Sequence, residues 1–90
     1  MNRKTINEIE DDIEDALDDL DYDLPYDIDV ERDSRGVTFE ITFDIYNMDD
    51  DTPDDWDDDV EDAIEDVISE WGGSYYWEGW TLLYSFANDD

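Results

Sequence analysis

Apolar side chains recur at helical spacing near the start of the chain. The stripe consists of Ile6, Ile9, Ile13, Ala16, Leu17 and Leu20. Thr5, followed three residues later by Glu8, forms a capping-box pattern that marks a helix start. Because acidic residues fill most positions between the apolar ones, the pattern predicts an amphipathic helix from Thr5 to Leu20.

A second helical stripe lies in the other half of the chain. Its apolar positions are Trp56, Val60, Ala63, Ile64, Val67 and Trp71. Thr52 is the predicted N-cap and Pro53 the first helical residue. Gly72 and Gly73 are the predicted stop, since helices commonly end on a glycine.

Each stripe is followed by the alternation typical of a strand pair. In the first pair, Tyr26, Ile28 and Val30 alternate with acids, residues 32–36 form the predicted loop, and Val37, Phe39, Ile41, Phe43 and Ile45 alternate on the return strand. In the second pair, Tyr75 and Trp77 lead through a Glu78-Gly79 turn to Trp80, Leu82, Tyr84 and Phe86. Alternation with period two predicts antiparallel strands with one buried face.

The chain reads as two copies of one unit. Residues 10–20 align without a gap on residues 57–67, and every position keeps its chemical class. We therefore predict a single α+β domain over residues 1–90 in the order αββαββ. Its halves are residues 5–46 and 52–88, joined by a linker at residues 47–51. Four strands form one antiparallel sheet, and both helices pack on its apolar face.

The most unusual property of the chain is its net charge. The 90 residues include 32 Asp and Glu against 4 Lys and Arg, which gives a formal net charge of -28. A disordered acidic tail would lack the amphipathic stripes and the aromatic content of 14%. Such self-repulsion is tolerated when a strongly positive partner or high salt compensates it. Direct binding to nucleic acid or to an anionic membrane is excluded on the same grounds.

The residue types argue against an enzyme. The chain has no cysteine and no histidine, so serine–histidine and cysteine–histidine nucleophiles are absent. No glycine-rich phosphate loop occurs, and no cofactor is expected. Calcium loops starting at Asp27 or Asp50 fail, because Arg32 or Asp55 stands where the sixth-position glycine belongs. With no signal peptide and no membrane-length apolar run, a cytoplasmic location is expected.

The remaining candidate site is the array of acids itself. On the helices, outward-facing acids repeat about every 6 Å. On a strand, residues of one face repeat about every 6.6–6.8 Å. The predicted partner-binding acids, which would stand in for phosphates, are Asp11, Asp15, Asp18, Asp27, Asp29, Glu31, Asp58, Asp62 and Glu65. A domain about 35 Å long would match a duplex of that length, which carries about 20 charges.

In size, charge and surface pattern, the whole chain resembles the DNA-mimic proteins of bacteriophages and mobile elements. Those proteins are small, folded, extremely acidic and without catalytic residues. They occupy the DNA groove of restriction enzymes, CRISPR effectors, uracil-DNA glycosylase or nucleoid proteins. The resemblance implies a basic DNA-binding protein as partner and competition with DNA as mechanism.

Two other readings share the same composition. Adaptation to a salt-rich cytoplasm also gives many acids and few lysines, and this chain has one lysine. The other alternative is that the protein is an acidic adaptor or chaperone for a basic protein. Tyr76 and Leu83, joined by Tyr46, are predicted on the sheet face away from the helices, either as a shielding cluster or as a contact for a homodimer or target.

Overall fold

Two units of one helix and one strand pair follow each other along the chain. The computed structural model describes residues 3–20, 22–34 and 36–87. The elements are α1 (Arg3–Asp18), β1 (Tyr26–Asp33), β2 (Gly36–Phe43), a short 3-10 helix (Ile45–Asn47), α2 (Trp56–Trp71), β3 (Ser74–Glu78) and β4 (Thr81–Ala87). The predicted α+β order αββαββ is therefore confirmed.

The four strands form one sheet in the order β1-β2-β4-β3, with every neighbouring pair antiparallel. Each hairpin thus supplies one edge strand and one central strand. The two central strands, β2 and β4, join the halves through a register that places Phe39 opposite Tyr84 and Ile41 opposite Leu82.

The core lies between the sheet and the helix pair. Its fully enclosed side chains are Ile9, Ile13, Phe39, Ile41, Val60, Ile64, Leu82 and Tyr84. Both predicted stripes supply it, which is the result expected when amphipathic helices cover one face of a sheet. No described residue with a charged side chain is buried.

The register has the symmetry expected of two equivalent halves. When the alternating residues of the two return strands are aligned, allowing for the longer loop of the first half, Phe39 corresponds to Leu82 and Ile41 to Tyr84. The pair Phe39–Tyr84 then corresponds to the pair Leu82–Ile41 across β2 and β4. Ala16 and Ala63, equivalent on the helices, line one groove. An approximate twofold axis therefore passes between the central strands and between the helices.

Both predicted helix starts are wrong. Helix α1 begins at Arg3, so Thr5 lies inside its first turn and does not cap it. Helix α2 begins at Trp56 with Asp55 as N-cap. Before it, the Trp56 amide donates to the Pro53 carbonyl oxygen at 3.2 Å, so residues 53–56 form a separate turn. The predicted stop is confirmed, since Gly72 caps α2 at φ 84° and its amide donates to the Ile68 carbonyl oxygen.

The first hairpin is tighter than predicted, and the turn of the second is shifted by one residue. Strand β1 runs to Asp33 and pairs there with Gly36, so the five-residue loop is wrong; Arg35 itself lies outside the described residues. Ile45 has left the strand for the 3-10 helix. In the second hairpin Glu78 pairs with Thr81, which places Trp80 in the turn, 52% exposed, and not on the buried face.

Candidate functional site: an acidic helix layer

The two helices lie side by side and antiparallel on the sheet. The indole Nε1 of Trp71, at the end of α2, donates to Oδ2 of Asp12 on α1 at 2.6 Å. The hydroxyl of Tyr22, just after α1, donates to Oδ2 of Asp59 near the start of α2 at 2.5 Å. From Asp59 to Trp71 along α2, the contacts move backwards along the first unit from Tyr22 to Asp12, so the helices are antiparallel and their outer faces lie on the same side of the molecule.

That surface carries two rows of exposed carboxylates, one on each helix. The α1 row consists of Asp11, Asp15 and Asp18, and the α2 row of Asp58, Asp62 and Glu65. Each row follows i, i+4 and i+7 spacing, which keeps its members on one side of the helix. We call these six residues the helix-layer acids.

A shallow groove of about 230 Å³ separates the two rows. The apolar part of the groove is made by Ala16, Ala63 and Leu20. The two alanines have small side chains, so the helices can lie close together here. Carboxylates of Asp19, Asp59, Asp62 and Asp66 line it as well. The acidic band therefore runs without interruption from one helix row across the groove to the other.

The strand acids lie on the opposite face of the molecule. Ile28 and Val30 pack against the core, so the alternation of β1 turns Asp27, Asp29 and Glu31 away from the helices. All three are exposed. The structure thus brings six of the nine predicted acids together and places the other three in a separate row along an edge strand.

The helix-layer acids follow each other about every 5 Å along a helix, a wider spacing than that of phosphates but of the same order. Over the seven residue steps of one row, about 10 Å of helix, there are three carboxylates. One strand of a duplex carries a phosphate about every 3.4 Å of axis. The molecule measures 45 × 22 × 18 Å, longer than predicted. A duplex 45 Å long carries about 26 charges, against the -28 of this chain.

Mutual repulsion acts on these carboxyls. Asp57 and further neighbouring acids raise the pKa of Asp58 above its ordinary value. Burial raises the pKa of Glu14, and the carboxylates of Glu10 and Asp11 add to the effect. Both shifts mean that folding favours the protonated carboxyl, at Asp58 mainly through neighbouring negative charge and at Glu14 mainly through burial.

Aromatic donors, which the sequence analysis missed, hold the half-buried carboxylates. Besides Trp71 and Tyr22, the hydroxyl of Tyr75 donates to Oε2 of Glu61 at 3.1 Å. Because the chain has only four basic residues, the hydroxyl of tyrosine and the indole N–H of tryptophan serve as donors to these carboxylates. The available signal was the position of these two donors at the helix ends, Trp71 as the last residue of α2 and Tyr22 just after α1.

The outward sheet face is only partly apolar. Leu83 and Tyr76 pair across β3 and β4 on this face, as predicted, with Leu83 buried and Tyr76 58% exposed. Tyr46 does not join them, because it lies in the 3-10 helix, where it is 93% exposed. Hydroxyl pairs, Thr38 with Ser85 and Thr42 with Thr81, fill the centre of the face.

Within the described residues, no three acidic side chains converge closely enough to hold a metal ion. In the same part of the chain, no helix has the length and apolarity needed to cross a bilayer. What the surface offers chemically is therefore a set of hydrogen-bond acceptors with fixed spacing and negative charge.

No known protein family, curated protein or solved structure matches this chain.

Proposed function

We propose that the protein is a DNA-mimic inhibitor. It occupies the positively charged DNA-binding groove of a nucleic-acid-binding protein, such as a host defence nuclease, a CRISPR effector or a repair enzyme, and competes there with DNA. The single observation that carries the proposal is the pair of carboxylate rows on α1 and α2, which flank a groove on one continuous face.

The helix layer is the better candidate for the contact surface. It offers two parallel rows with a groove between them, as a duplex offers two phosphate backbones beside a groove. The strand row of Asp27, Asp29 and Glu31 is a single line on an edge strand, beside the hydroxyl groups of Thr38 and Thr42 on β2. Basic side chains that reach across a DNA groove would find counterparts on the helix layer alone.

The mechanism is competitive and electrostatic. Opposite charge accelerates encounter with a basic groove, by up to a factor of about 10³ at low salt. Once docked, carboxylates accept bidentate hydrogen bonds from arginine, as phosphates do. Because the rows lie on packed helices, little conformational entropy is lost on binding, and that favours this protein over a flexible polyanion.

A second candidate function has one observation in its favour. Exposed acids also lie along β1 on the outward sheet face, away from the helix layer. In a protein adapted to a salt-rich cytoplasm, acidic residues are expected on every surface. A DNA mimic needs them only on the surface that contacts its target. A salt series, described in the Discussion, separates these two candidates.

The direct test is competition for DNA-binding enzymes. Labelled duplex would be bound to a restriction endonuclease, a CRISPR effector, a repair glycosylase and a nucleoid protein in turn, at 0.1 M salt. Polyglutamate of matched total charge serves as the flexible control. We expect this protein to displace the duplex from at least one of them at concentrations where polyglutamate does not. Failure with every enzyme, or equal displacement by polyglutamate, would contradict the proposal.

A further inference from the structure

One end of the molecule carries an aromatic cluster that opens to solvent. Trp80, in the turn between β3 and β4, is 52% exposed. Its ring centroid lies 5.9 Å from that of Trp56, which is buried at the start of α2. Trp56 in turn lies 5.1 Å from Phe43 and 6.2 Å from Trp77. The exposed indole is thus supported by a packed aromatic stack.

The backbone fixes this indole further. The Phe43 amide donates to the Trp80 carbonyl oxygen at 3.0 Å, which ties the turn to the end of β2. With its backbone tied to β2 and its ring packed against Trp56, the indole loses little freedom when a ligand covers it. Exposed tryptophans in such positions are typical of the residues that dominate binding energy at protein interfaces.

Beside Trp80 lies a cavity of about 370 Å³, which we call the tryptophan pocket. Its apolar wall is made by Met48, Trp56 and Trp80 together with Ile45 and Pro53. Its polar wall includes Asp49, Asp50 and Asp54. The hydroxyl oxygen of Thr52, also in the wall, is enclosed and lacks a hydrogen-bond partner in the described part of the chain.

The chemistry of the wall selects a cation with a flat face. Tryptophan gives the strongest cation–π attraction of the aromatic residues. Three carboxylates add charge complementarity, and none of the residues that line the pocket is basic. The start of α2 contributes about half a positive charge. That is small against the three negative charges of Asp49, Asp50 and Asp54.

Arginine fits this combination better than lysine does. Its guanidinium is planar, stacks on aromatic rings, is weakly hydrated and donates two parallel hydrogen bonds to a carboxylate. Lysine is a compact, strongly hydrated charge that gains less from an indole face. A pocket with both an exposed ring and carboxylates therefore distinguishes the two cations.

We propose that the tryptophan pocket binds an arginine side chain of the basic partner protein, with the guanidinium stacked on Trp80 and paired with the surrounding carboxylates. The identity of the partner rests on the proposed function, whereas the preference for arginine rests on the pocket alone. DNA offers no such aromatic pocket beside its phosphates. The contact would therefore add affinity that charge mimicry lacks and that salt weakens less.

The test uses a single arginine as ligand. N-acetyl-arginine methylamide would be titrated into the protein at 0.15 M NaCl while the indole N–H signals are followed by NMR. N-acetyl-lysine methylamide is the parallel probe. We expect saturable shifts of the Trp80 and Trp56 signals in the millimolar range with the arginine probe, and at least threefold weaker binding with the lysine probe.

Two variants make the result specific. Trp80→Ala should abolish the saturable shift at Trp56, and Tyr76→Ala, which removes an aromatic ring of similar exposure on the outward sheet face, should leave it unchanged. If Trp80→Ala does not fold, the double variant Asp49→Asn/Asp50→Asn should weaken arginine binding severalfold. No saturable shift, equal affinity for lysine, or unchanged binding in these pocket variants would overturn the proposal.

The outcome is separable from that of the competition assay. A protein that binds the arginine probe but displaces DNA from no enzyme would contradict the proposed function and leave the pocket's arginine preference standing. A protein that displaces DNA but ignores the probe would contradict the pocket alone.

Discussion

Asp12 and Trp71 are joined by a hydrogen bond across the two helices, from Nε1 to Oδ2 at 2.6 Å. Its counterpart joins Tyr22 to Asp59 at 2.5 Å. The two acceptors, Asp12 and Asp59, occupy equivalent positions in the repeat, whereas the two donors do not. Each hydrogen bond fixes a half-buried carboxylate with an aromatic donor in a chain that has four basic residues.

Removing the indole N–H of Trp71 should destabilise the fold. Trp71→Phe leaves the Asp12 carboxylate without the indole N–H, and a hydrogen bond to a charged group contributes about 1.5–3 kcal/mol. Urea unfolding should show a loss of that size. In an Asp12→Ala background the same substitution should cost clearly less, because the acceptor is already gone.

Tyr22→Phe provides the parallel test on the second hydrogen bond, and it should likewise cost clearly less in an Asp59→Ala background. Additive losses in either double-mutant cycle, with no coupling between donor and acceptor, would mean that packing alone explains the cost.

Acidification should stabilise the protein. Glu14 and Asp58 have pKa values raised in the folded state, so the folded form binds their protons more tightly than the unfolded form does. Stability then increases as the pH falls through the raised pKa values toward the ordinary ones. The melting temperature should therefore be higher at pH 5 than at pH 7, both above the isoelectric point of about 4.1.

The double variant Glu14→Gln/Asp58→Asn lacks both groups and should show a shallower dependence between these pH values. A melting temperature that is flat, or that rises with pH in the unmodified protein, would contradict the crowding of charge in the helix layer.

Salt separates a mimic from a salt-adapted protein. At 0.1 M NaCl the protein should already unfold in one cooperative transition. Its melting temperature should then rise moderately toward 1 M, as the screening length falls from about 10 Å to about 3 Å. Circular dichroism during heating checks this. A chain that is unfolded below molar salt would favour adaptation to a salt-rich cytoplasm instead.

Gly73 is predicted to be the least replaceable glycine of the α2–β3 connection. A Cβ there would lie 2.7 Å from the Ser85 carbonyl oxygen and from Cε1 of Tyr84, at φ +93°. Positive φ alone costs about 1–3 kcal/mol in other residues. Overpacking adds about 1–3 kcal/mol. Gly73→Ala should therefore cost about 3 kcal/mol or more in urea unfolding.

Gly72→Ala is the matched control. Its backbone is also at positive φ, +84°, but no described neighbouring atom lies within 4 Å of the added Cβ. Gly72→Ala should therefore lower the free energy of unfolding only by the cost of positive φ, about 1–3 kcal/mol. Equal losses for the two variants would show that the close approach of Tyr84 and Ser85 contributes nothing.

Periodicity predicted the fold because burial imposes it. Apolar residues such as Ile13 and Val60 recur at helical spacing because one side of each helix must face the sheet. The alternation in β2 and β4 has the same cause, since one face of each strand must be buried. Element ends were predicted less well. The Thr5 capping pattern is local, and the helix continues past it to Arg3 because nothing in the sequence around Thr5 interrupts it.

Side-chain relationships between elements were beyond the sequence. Trp80 fits the alternation of its strand, yet the two-residue turn moves it out of the strand and leaves it half exposed. The pairing of Trp71 with Asp12 depends on the register of two antiparallel helices, which no local pattern states. Likewise, alternation predicted that Asp29 is exposed. Only the assembled fold shows that Asp29 lies on the sheet side of the molecule, away from Asp15 and Asp62 on the helices.

A matched pair of charge-reversal variants tests mimicry most directly. Asp15→Lys/Asp62→Lys changes the helix layer and Asp29→Lys/Glu31→Lys changes the strand row, and both bring the net charge from -28 to -24. Each would compete with labelled duplex for the enzyme that the unmodified protein displaces, at 0.1 M salt. We predict a loss of inhibition of about tenfold or more for the helix-layer variant, equivalent to about 1.4 kcal/mol, and less than twofold for the strand variant. Equal losses would show that total charge, and not the arrangement of carboxylates on the helices, determines binding, and would contradict the proposal.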